Sequence, residues 1–340
     1  MDGFLKRIVI LTCVVVLTFA FGFFLKITKS FMIPFVLALF LYLLFSPLID
    51  MLVKWKVPRW IALLLAILLA LGLVTLLGVI VYSSISTLAV GLPKYQDKLV
   101  VFVNLAEKLS HRIPELSLQD VLKNINLGAI SSFVLRTMGS FMKFFTSLSL
   151  MILFFIFMLI GKGNLERKIH KAFPEYQALY ISAIYKNLTQ KIYRYLWIKT
   201  LISVITGFNV WLILTLFGID FAFVWGFLTF AFNYIPNIGS IIITIPPLIL
   251  ALLKFGRFFP VLWLLLFLIA NQMVMGNFLE PRWMGKSLNL SPLLVLFSLI
   301  FWGWLWGVVG MIISVPLLSI IKIILENIPQ TSSWAKLMEA

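Results

Sequence analysis

Two carboxylates lie beside breaks in long apolar stretches of this 340-residue chain, and they are the first candidates for chemistry. Glu280 stands directly before Pro281 at the end of one apolar run, and Asp220 follows Gly218 between two others. A carboxyl group close to low dielectric has a raised pKa, so either acid could exchange protons near neutral pH. The plainer alternatives are a salt bridge from Glu280 to Arg282 and a helix cap at Asp220.

Amides and chain breaks accompany these acids. The candidate pathway for a solute or ion consists of Glu280, Asp220, Asn233, Pro236, Asn237, Gly239, Asn271, Gln272, Asn277 and Arg282. In hydrocarbon an amide needs a hydrogen-bonding partner, which is either another helix or a polar solute. Backbone groups freed at the break beside Pro236 can bind ions or anionic groups. Asn277 and Glu280 are three residues apart, so they share one helix face.

Prolines and glycines mark further helix breaks and close helix contacts. They are Pro246, Pro247, Pro281, Gly285, Gly303, Gly307, Gly310 and Pro316. Glycines at spacings of three and four residues let helix backbones approach closely, and packing is the plainer interpretation of them. The more specific interpretation is that these glycines allow one helix to slide on its neighbour.

The sequence contains none of the motifs that we associate with hydrolytic enzymes. There is no phosphate-binding loop, no serine nucleophile elbow and no zinc-protease motif. A single cysteine, Cys13, and two histidines, His111 and His170, offer no cluster with metal-ligand spacing. We therefore expect a protein that is not an enzyme and that needs neither a cofactor nor a metal.

The composition is that of a polytopic membrane protein. Hydrophobic residues make up 62% of the chain and charged residues 12%, whereas soluble domains are nearer half apolar and a quarter charged. The net charge of +16 agrees with basic loops that follow the positive-inside rule and contact anionic lipid. Because no basic run is interleaved with aromatics, we do not expect nucleic-acid binding.

The apolar runs predict an all-α fold with about eight membrane segments. An N-terminal scaffold (1–83) has three spans at 8–25, 31–49 and 60–82, the first of them uncleaved. Outer amphipathic helices (84–143) follow, then a fourth span with a basic cytoplasmic loop (144–199), in which 176–197 is helical. A transport unit (200–324) begins with a fifth span at 197–217, and a tail (325–340) ends the chain. Basic residues place both termini in the cytoplasm.

Two pairs of short apolar arms predict re-entrant helical hairpins, at 221–235 with 240–253 and at 291–302 with 304–324. The arms of the first pair have 14–15 residues, about 21–22 Å if helical, and fall short of a ~30 Å hydrocarbon core; the second pair repeats the pattern of two arms about a break. Two kinked full spans are the alternative. Residues 225–253 and 296–324 also match in their glycine-to-proline core, and a clean sixth span at 258–278 lies between the hairpins. If both hairpins are re-entrant, the sequence predicts two units related by inversion in the membrane plane, with a site shared by both hairpins.

The C-terminal motif resembles that of a known family. Residues 277–286 (NFLEPRWMGK), Leu290-Ser291-Pro292, Phe301-Trp302-Gly303, Gly307, Gly310 and Pro316 are similar to the signature of the autoinducer-2 exporters, the PerM-like permeases. Pro236-Asn237-Ile238-Gly239 with Pro246 resembles a second motif of that family. Trp283 departs from the smaller aliphatic residue more usual there. The resemblance implies a bacterial inner-membrane protein, a homo-oligomer, and efflux without ATP.

We expect a secondary transporter that exports a small solute, with autoinducer-2 as one candidate, by an elevator-like movement of the hairpins. A sodium or lithium/proton antiporter is the nearest alternative, since the resemblance also implies that activity. A channel, or a membrane scaffold without transport, is a third. The expected partners are the solute or ion, the lipid bilayer and further copies of the chain.

Overall fold

Helices joined by short turns make up the residues that the computed structural model of the protein describes, which are 12–13, 16–17, 20, 22–95, 141–161, 164–236, 238–284, 290–328 and 330–339. In hydrocarbon a chain must satisfy its own backbone groups, and apolar runs of this length do so as helices. The predicted all-α class is confirmed for these residues, among which no strand occurs. Half of the first predicted span and most of the predicted outer region lie outside the described residues.

The helices follow the apolar runs closely. They are α1 (Lys29–Lys54), α2 (Arg59–Gly91), α3 (Phe141–Gly161), α4 (Asn164–Ala172), α5 (Glu175–Leu216), α6 (Ala222–Phe232), α7 (Ile238–Phe255), α8 (Phe258–Gln272), α9 (Glu280–Met284), α10 (Pro292–Asn327) and α11 (Ser332–Leu337). A 3-10 turn, Leu92–Tyr95, follows α2, and a π-helix, Met273–Leu279, joins α8 to α9. The predicted third span therefore extends to Gly91, and the predicted sixth span is α-helical only as far as Gln272.

Five helical stretches within the described residues are long and apolar enough to cross a membrane. They are α1, Arg59–Leu88, α5, Phe258–Met284 and α10. Ser147–Gly161, Ala222–Phe232 and Gly239–Phe255 are apolar but shorter. The fold is thus a multi-pass helical membrane protein, while the number of membrane segments and the re-entrant character of the short arms stay predictions.

Helix α5 joins two elements that the sequence presents separately. It runs unbroken for 42 residues through the predicted cytoplasmic helix (176–197) and the predicted fifth span (197–217). At ~1.5 Å per residue it is about 63 Å long, roughly twice the ~30 Å hydrocarbon core. Lys199, which we counted with the basic cytoplasmic loop, therefore lies inside a helix, where it is only 2% exposed.

Helix α10 folds back on itself at Gly307, whose φ of 66° and ψ of −146° are non-helical. The Ser298 hydroxyl donates to the Ser314 carbonyl oxygen at 3.1 Å. In a straight helix sixteen residues would separate those residues by about 24 Å. The arms 292–306 and 308–327 therefore form a hairpin, and the turn predicted at residue 303 lies four residues later, at Gly307.

The described residues belong to two compact units. The first unit comprises Met1–Ala70, Thr146–Trp197 and Lys286–Ala340, and the second comprises Leu71–Phe145 and Ile198–Gly285. Leu25, Val36, Leu305, Trp306 and Ile313 form a core in the first unit. Val210, Leu214, Trp225, Ile243, Leu250, Leu264 and Leu268 belong to the core of the second. The predicted transport unit (200–324) contains α5 to α9 residues of the second unit and also α10, which belongs to the first unit. The domain limits given from the sequence stay predictions.

Candidate functional site

The C-terminal half of α5 carries a row of buried polar side chains through an apolar helix. Lys199 is 2% exposed, while Ser203 and Thr206 are fully buried. Steps of four and then three residues place these side chains on one helix face, and Asn209 continues the row. A buried polar group without a partner costs free energy. The hydrogen-bonding partners of these side chains therefore indicate the role of this face of α5.

The break between α6 and α7 supplies the first partners. These helices form the first hairpin, and α10 forms the second. Asn233 is buried at the end of α6, and its Nδ2 donates to Ser203 Oγ at 3.0 Å. The Tyr234 hydroxyl donates to Thr200 Oγ1 at 2.7 Å. Two residues of the break are therefore fixed to α5 through their side chains.

The segment from α8 to α9 supplies the second set of partners. Asn209 Nδ2 donates to Asn271 Oδ1 at 3.0 Å, and Lys199 Nζ donates to Glu280 Oε1 at 2.5 Å. The Lys199 side chain is 3% exposed and that of Glu280 is 21% exposed. We call this group of seven residues the polar seam: Lys199, Ser203, Thr206, Asn209, Asn233, Asn271 and Glu280.

Glycines allow the helices around the polar seam to touch. A Cβ at Gly207 would lie 2.7 Å from the Gly226 carbonyl oxygen, and a Cβ at Gly226 would lie equally close to the Gly207 oxygen. A Cβ at Gly239 would lie 1.9 Å from the Phe232 carbonyl oxygen. Helices α5, α6 and α7 are thus in backbone contact, which holds the first hairpin firmly against α5.

A small cavity adjoins the polar seam within the second unit. Its lining is Val210, Thr229, Ser240, Ile243, Thr244, Pro247, Leu268, Asn271 and Gln272. The space has room for about one water molecule. Hydroxyl and amide groups supply its polar wall, so it suits a neutral hydrogen-bonding group. An organic solute needs the helices to separate before it fits.

Asp220 lies apart from the polar seam, in the connection between α5 and α6. It accepts hydrogen bonds from the Lys94 ammonium, from the Tyr95 hydroxyl at 2.6 Å and from Lys254 Nζ at 3.2 Å. The Lys94 bond, followed by the Tyr95 bond, lowers the pKa of Asp220 below its ordinary value. The raised pKa that we predicted for Asp220 is therefore wrong, because two cations and a hydroxyl stabilise its charged form.

The remaining pathway candidates are scattered. Pro236 lies in the break, whereas Asn237 and Gly285 lie outside the described residues. Asn277 is exposed on the π-helix, so it does not share the environment of Glu280. The Arg282 guanidinium lies 3.8 Å from the centre of the Phe278 ring. Glu280 therefore forms its salt bridge with Lys199, whereas the plainer alternative from the sequence was a salt bridge with Arg282.

The second hairpin contains the other predicted packing residues. A Cβ at Gly310 would lie 1.9 Å from the Trp302 carbonyl oxygen, and a Cβ at Gly303 would lie 2.7 Å from Met311 Cε. Pro316 is buried in the second arm. These contacts are across the two arms, so the glycines serve packing here.

Four residues of the polar seam are absent from the sequence-based pathway: Lys199, Ser203, Thr206 and Asn209. Their spacing of four, three and three residues is a signal that could have found them. Charge counting hid it, because Lys199 is the last of a series of basic residues typical of a cytoplasmic loop. As for metals, the described part of the chain contains no group of three or more histidine, cysteine or acidic residues that could hold an ion.

Comparison with known proteins agrees with these features. The AI-2E family of transporters matches residues 10–330. AI-2 transport protein TqsA of Escherichia coli K12 is 35% identical over 314 residues, which cover 92% of this chain and 90% of that protein. A Haemophilus influenzae protein with a provisional name as a transport protein is 36% identical over 322 residues, covering 92% and 91%. The resemblance seen in the C-terminal motif is confirmed.

Proposed function

This chain belongs to the AI-2E family of transporters, and on that premise we propose that it exports a small polar solute across the bacterial inner membrane without ATP hydrolysis. The polar seam carries this proposal. Buried hydroxyl, amide and charged groups inside apolar helices are costly unless they bond to one another or to a passing solute. Asn233 of the polar seam lies where α6 ends, and Asn271 lines the small cavity; both observations support a binding site at a helix break.

The chemistry of the cavity favours an uncharged solute with several hydrogen-bonding groups. Thr229, Ser240, Thr244, Asn271 and Gln272 all offer neutral donors or acceptors. The Escherichia coli relative is named for transport of AI-2, so AI-2 (autoinducer-2) is the first solute to test. Export is the direction that we propose.

The small size of the cavity supports a mechanism that involves movement. A space for one water molecule holds no organic solute, so the site must open during a transport cycle. We propose an elevator-like displacement in which residues 198–285 carry the polar seam. The backbone contacts of Gly207 with Gly226 and of Gly239 with Phe232 support this, since they make α5, α6 and α7 a stiff support.

Reconstitution tests the function. Purified protein in liposomes loaded with labelled AI-2 should release it faster than protein-free liposomes, in the absence of ATP. Asn271→Ala should slow release at least about tenfold, because Asn271 lines the cavity and bonds to Asn209. Asn187→Ala, a matched change at an exposed amide of α5 outside the polar seam, should leave the rate unchanged.

Imposed pH and sodium gradients complete this experiment. Release of AI-2 no faster than from protein-free liposomes, under every gradient, would contradict the proposal. Sodium-dependent proton movement that disappears in Glu280→Gln would instead establish the antiporter. Currents without saturation by solute would establish a channel.

Alternating exposure of the site tests the elevator-like step. In a Cys13→Ala background, the thiol of a Ser240→Cys variant should react with a membrane-impermeant thiol reagent from each side in turn as the gradient is reversed. Reaction from one side under all gradients would argue against movement. Two further expectations, a homo-oligomer and cytoplasmic termini, can be checked by particle mass in detergent and by tag protection in cells.

A further inference from the structure

Asn271 and Glu280 both bond to α5, although an α-helix would turn them away from each other. Asn271 accepts from Asn209 at 3.0 Å, and Glu280 accepts from Lys199 at 2.5 Å. An α-helix turns ~100° per residue, so nine residues make about two and a half turns. The two side chains would then lie on opposite faces, and one neighbouring helix could not bond to both.

The π-helix Met273–Leu279 removes this conflict. Hydrogen bonds in a π-helix join residues five apart, so it absorbs one residue more than an α-helix does. The backbone N–H of Glu280 donates to the Met275 carbonyl oxygen, which has this spacing. The nine-residue step from Asn271 to Glu280 then rotates about the helix axis by as much as eight α-helical residues do. The two side chains therefore lie ~80° apart around the helix. Lys199 and Asn209, ten residues apart on α5, are separated by a comparable ~80°.

The same segment begins at the cavity and ends at the ion pair. Gln272 lines the cavity, and its amide lies over Gly276, where a Cβ would be 2.8 Å from Nε2. At the other end, Glu280 pairs with the buried Lys199. A solute that hydrogen-bonds to Gln272 would draw that amide away from Gly276. The π-helix therefore connects solute contact to the state of the ion pair.

We propose that Met273–Leu279 is the moving part of the site. A change from π- to α-helix rotates α9 by ~100° relative to α8, separates Glu280 from Lys199 and opens the polar seam. The π form persists because the bonds at Asn271 and Glu280 hold it, and loss of one of them lets the segment relax to the α form. This inference rests on the proposed transport function, which it extends by naming the element that switches.

Deletion of one residue tests whether the π-helix switches between two forms or only sets the spacing of the bonds at Asn271 and Glu280. Deletion of Val274, an exposed residue of the π-helix, reduces the separation of Asn271 and Glu280 from nine positions to eight, so an ordinary α-helix keeps both bonds. The deletion variant should fold. Amide hydrogen exchange in residues 273–284 should slow at least about tenfold, and AI-2 release should fall at least about tenfold. Ile269→Ala, which truncates an exposed apolar side chain of α8 outside the π-helix and leaves the register unchanged, should match the wild type in both measurements.

Three outcomes would overturn the proposal. Wild-type transport by the deletion variant would show that the π-helix merely spaces the two bonds. Unchanged amide exchange would show that no opening exists to be lost. Failure of the Val274 deletion and of an equivalent Met275 deletion to fold would show that the register argument is wrong. The exchange comparison needs no transported solute, so it decides this inference even if AI-2 transport itself fails.

Discussion

The two hairpins share one backbone device and differ in chemistry. In the first hairpin Gly239 packs on the Phe232 carbonyl oxygen, and in the second Gly310 packs on the Trp302 carbonyl oxygen. The repeat found in the sequence aligns these two glycines, and it also aligns Pro236 with Gly307, where the hairpins turn. The first hairpin presents Asn233 and Tyr234 to hydroxyl groups of α5.

The second hairpin turns among apolar residues instead. Leu305, Trp306 and Ile313 are buried there, and the Trp306 indole donates to the Leu25 carbonyl oxygen at 3.1 Å. The Ser298 and Ser314 hydroxyls bond within the hairpin itself. One backbone device thus supports a polar site in one hairpin and an anchored packing contact in the other. Whether inversion relates them stays a prediction.

The largest expected effect concerns the buried lysine that accompanies each hairpin. Lys199 pairs with Glu280 at 2.5 Å, whereas Lys322 in α10 has Glu326 at 3.5 Å and Glu339 at 3.6 Å. Glu280→Gln leaves a buried ammonium without its carboxylate and should cost ~3 kcal/mol of folding free energy. Glu326→Gln leaves Lys322 a second carboxylate and should cost ~1 kcal/mol.

Denaturation in detergent, followed by tryptophan fluorescence, measures this difference. The charge-reversed double variant Lys199→Glu with Glu280→Lys should recover part of the loss. Equal costs for Glu280→Gln and Glu326→Gln would remove the distinction drawn between the two lysines.

The shared glycine device gives the next largest effect. Gly239→Ala and Gly310→Ala each place a Cβ 1.9 Å from a backbone oxygen, so the arms must separate, at a cost of ~2–3 kcal/mol. Gly72→Ala, where a Cβ would meet nothing within 4 Å, is the matched control and should be neutral or slightly stabilising. Thermal unfolding of the three variants measures this. If only one of Gly239→Ala and Gly310→Ala lowers the unfolding temperature, the two glycines do not have the same structural role.

The turns themselves should differ by a smaller amount. Gly307 has a backbone conformation that other residues adopt only with strain, so Gly307→Ala should cost ~1–3 kcal/mol. Pro236→Ala introduces no such strain and should cost less than ~1 kcal/mol. The same thermal unfolding experiment compares them, and a larger loss at Pro236 would reverse the comparison.

The smallest effect is expected at Asp220, which lies outside the polar seam. A pKa lower in the folded than in the unfolded protein stabilises the fold above the unfolded pKa of ~3.9 and loses that contribution as the pH falls. Asp220→Asn should therefore cost ~0.5–1 kcal/mol at pH 7, since Lys94 is half exposed and screened.

The difference from the wild type should be constant between pH 6 and 8, begin to decrease near the unfolded pKa of about 4, and disappear only as the pH falls to the lower pKa of the folded protein. Unfolding curves at several pH values measure it, and 1 M salt should reduce it. A difference that grows as the pH falls would contradict the assigned pKa direction.

Apolar periodicity and turn residues were enough to predict most of the described helices and a chain break in each C-terminal hairpin, whereas the re-entrant character of the hairpins stays a prediction. The long apolar runs gave α1, α2 and α10, and the break at Pro236 gave the first hairpin. The second turn was misplaced because Gly303, Gly307 and Gly310 are all suitable, and only the positive φ distinguishes Gly307. The unbroken α5 could not be predicted, since its basic half has the composition of a cytoplasmic loop.

The site itself was half predictable. Asn233, Asn271 and Glu280 were recognisable as polar residues beside breaks. Lys199 and Asn209 were missed because their partners lie 81 and 62 residues away along the chain, and pairing over that separation depends on tertiary packing. The π-helix leaves no composition signal, because a single absorbed residue does not change the apolar pattern.

Transport by a matched pair of variants tests the central claim most directly. Asn233→Ala and Ser298→Ala each remove one buried side-chain hydrogen bond, one from each hairpin, at a similar cost of ~1 kcal/mol in stability. In proteoliposomes, Asn233→Ala should lower AI-2 release at least about tenfold, while Ser298→Ala should stay within about twofold of the wild type. Equal rates for the two variants, or a larger loss with Ser298→Ala, would contradict the assignment of the transport site to the first hairpin.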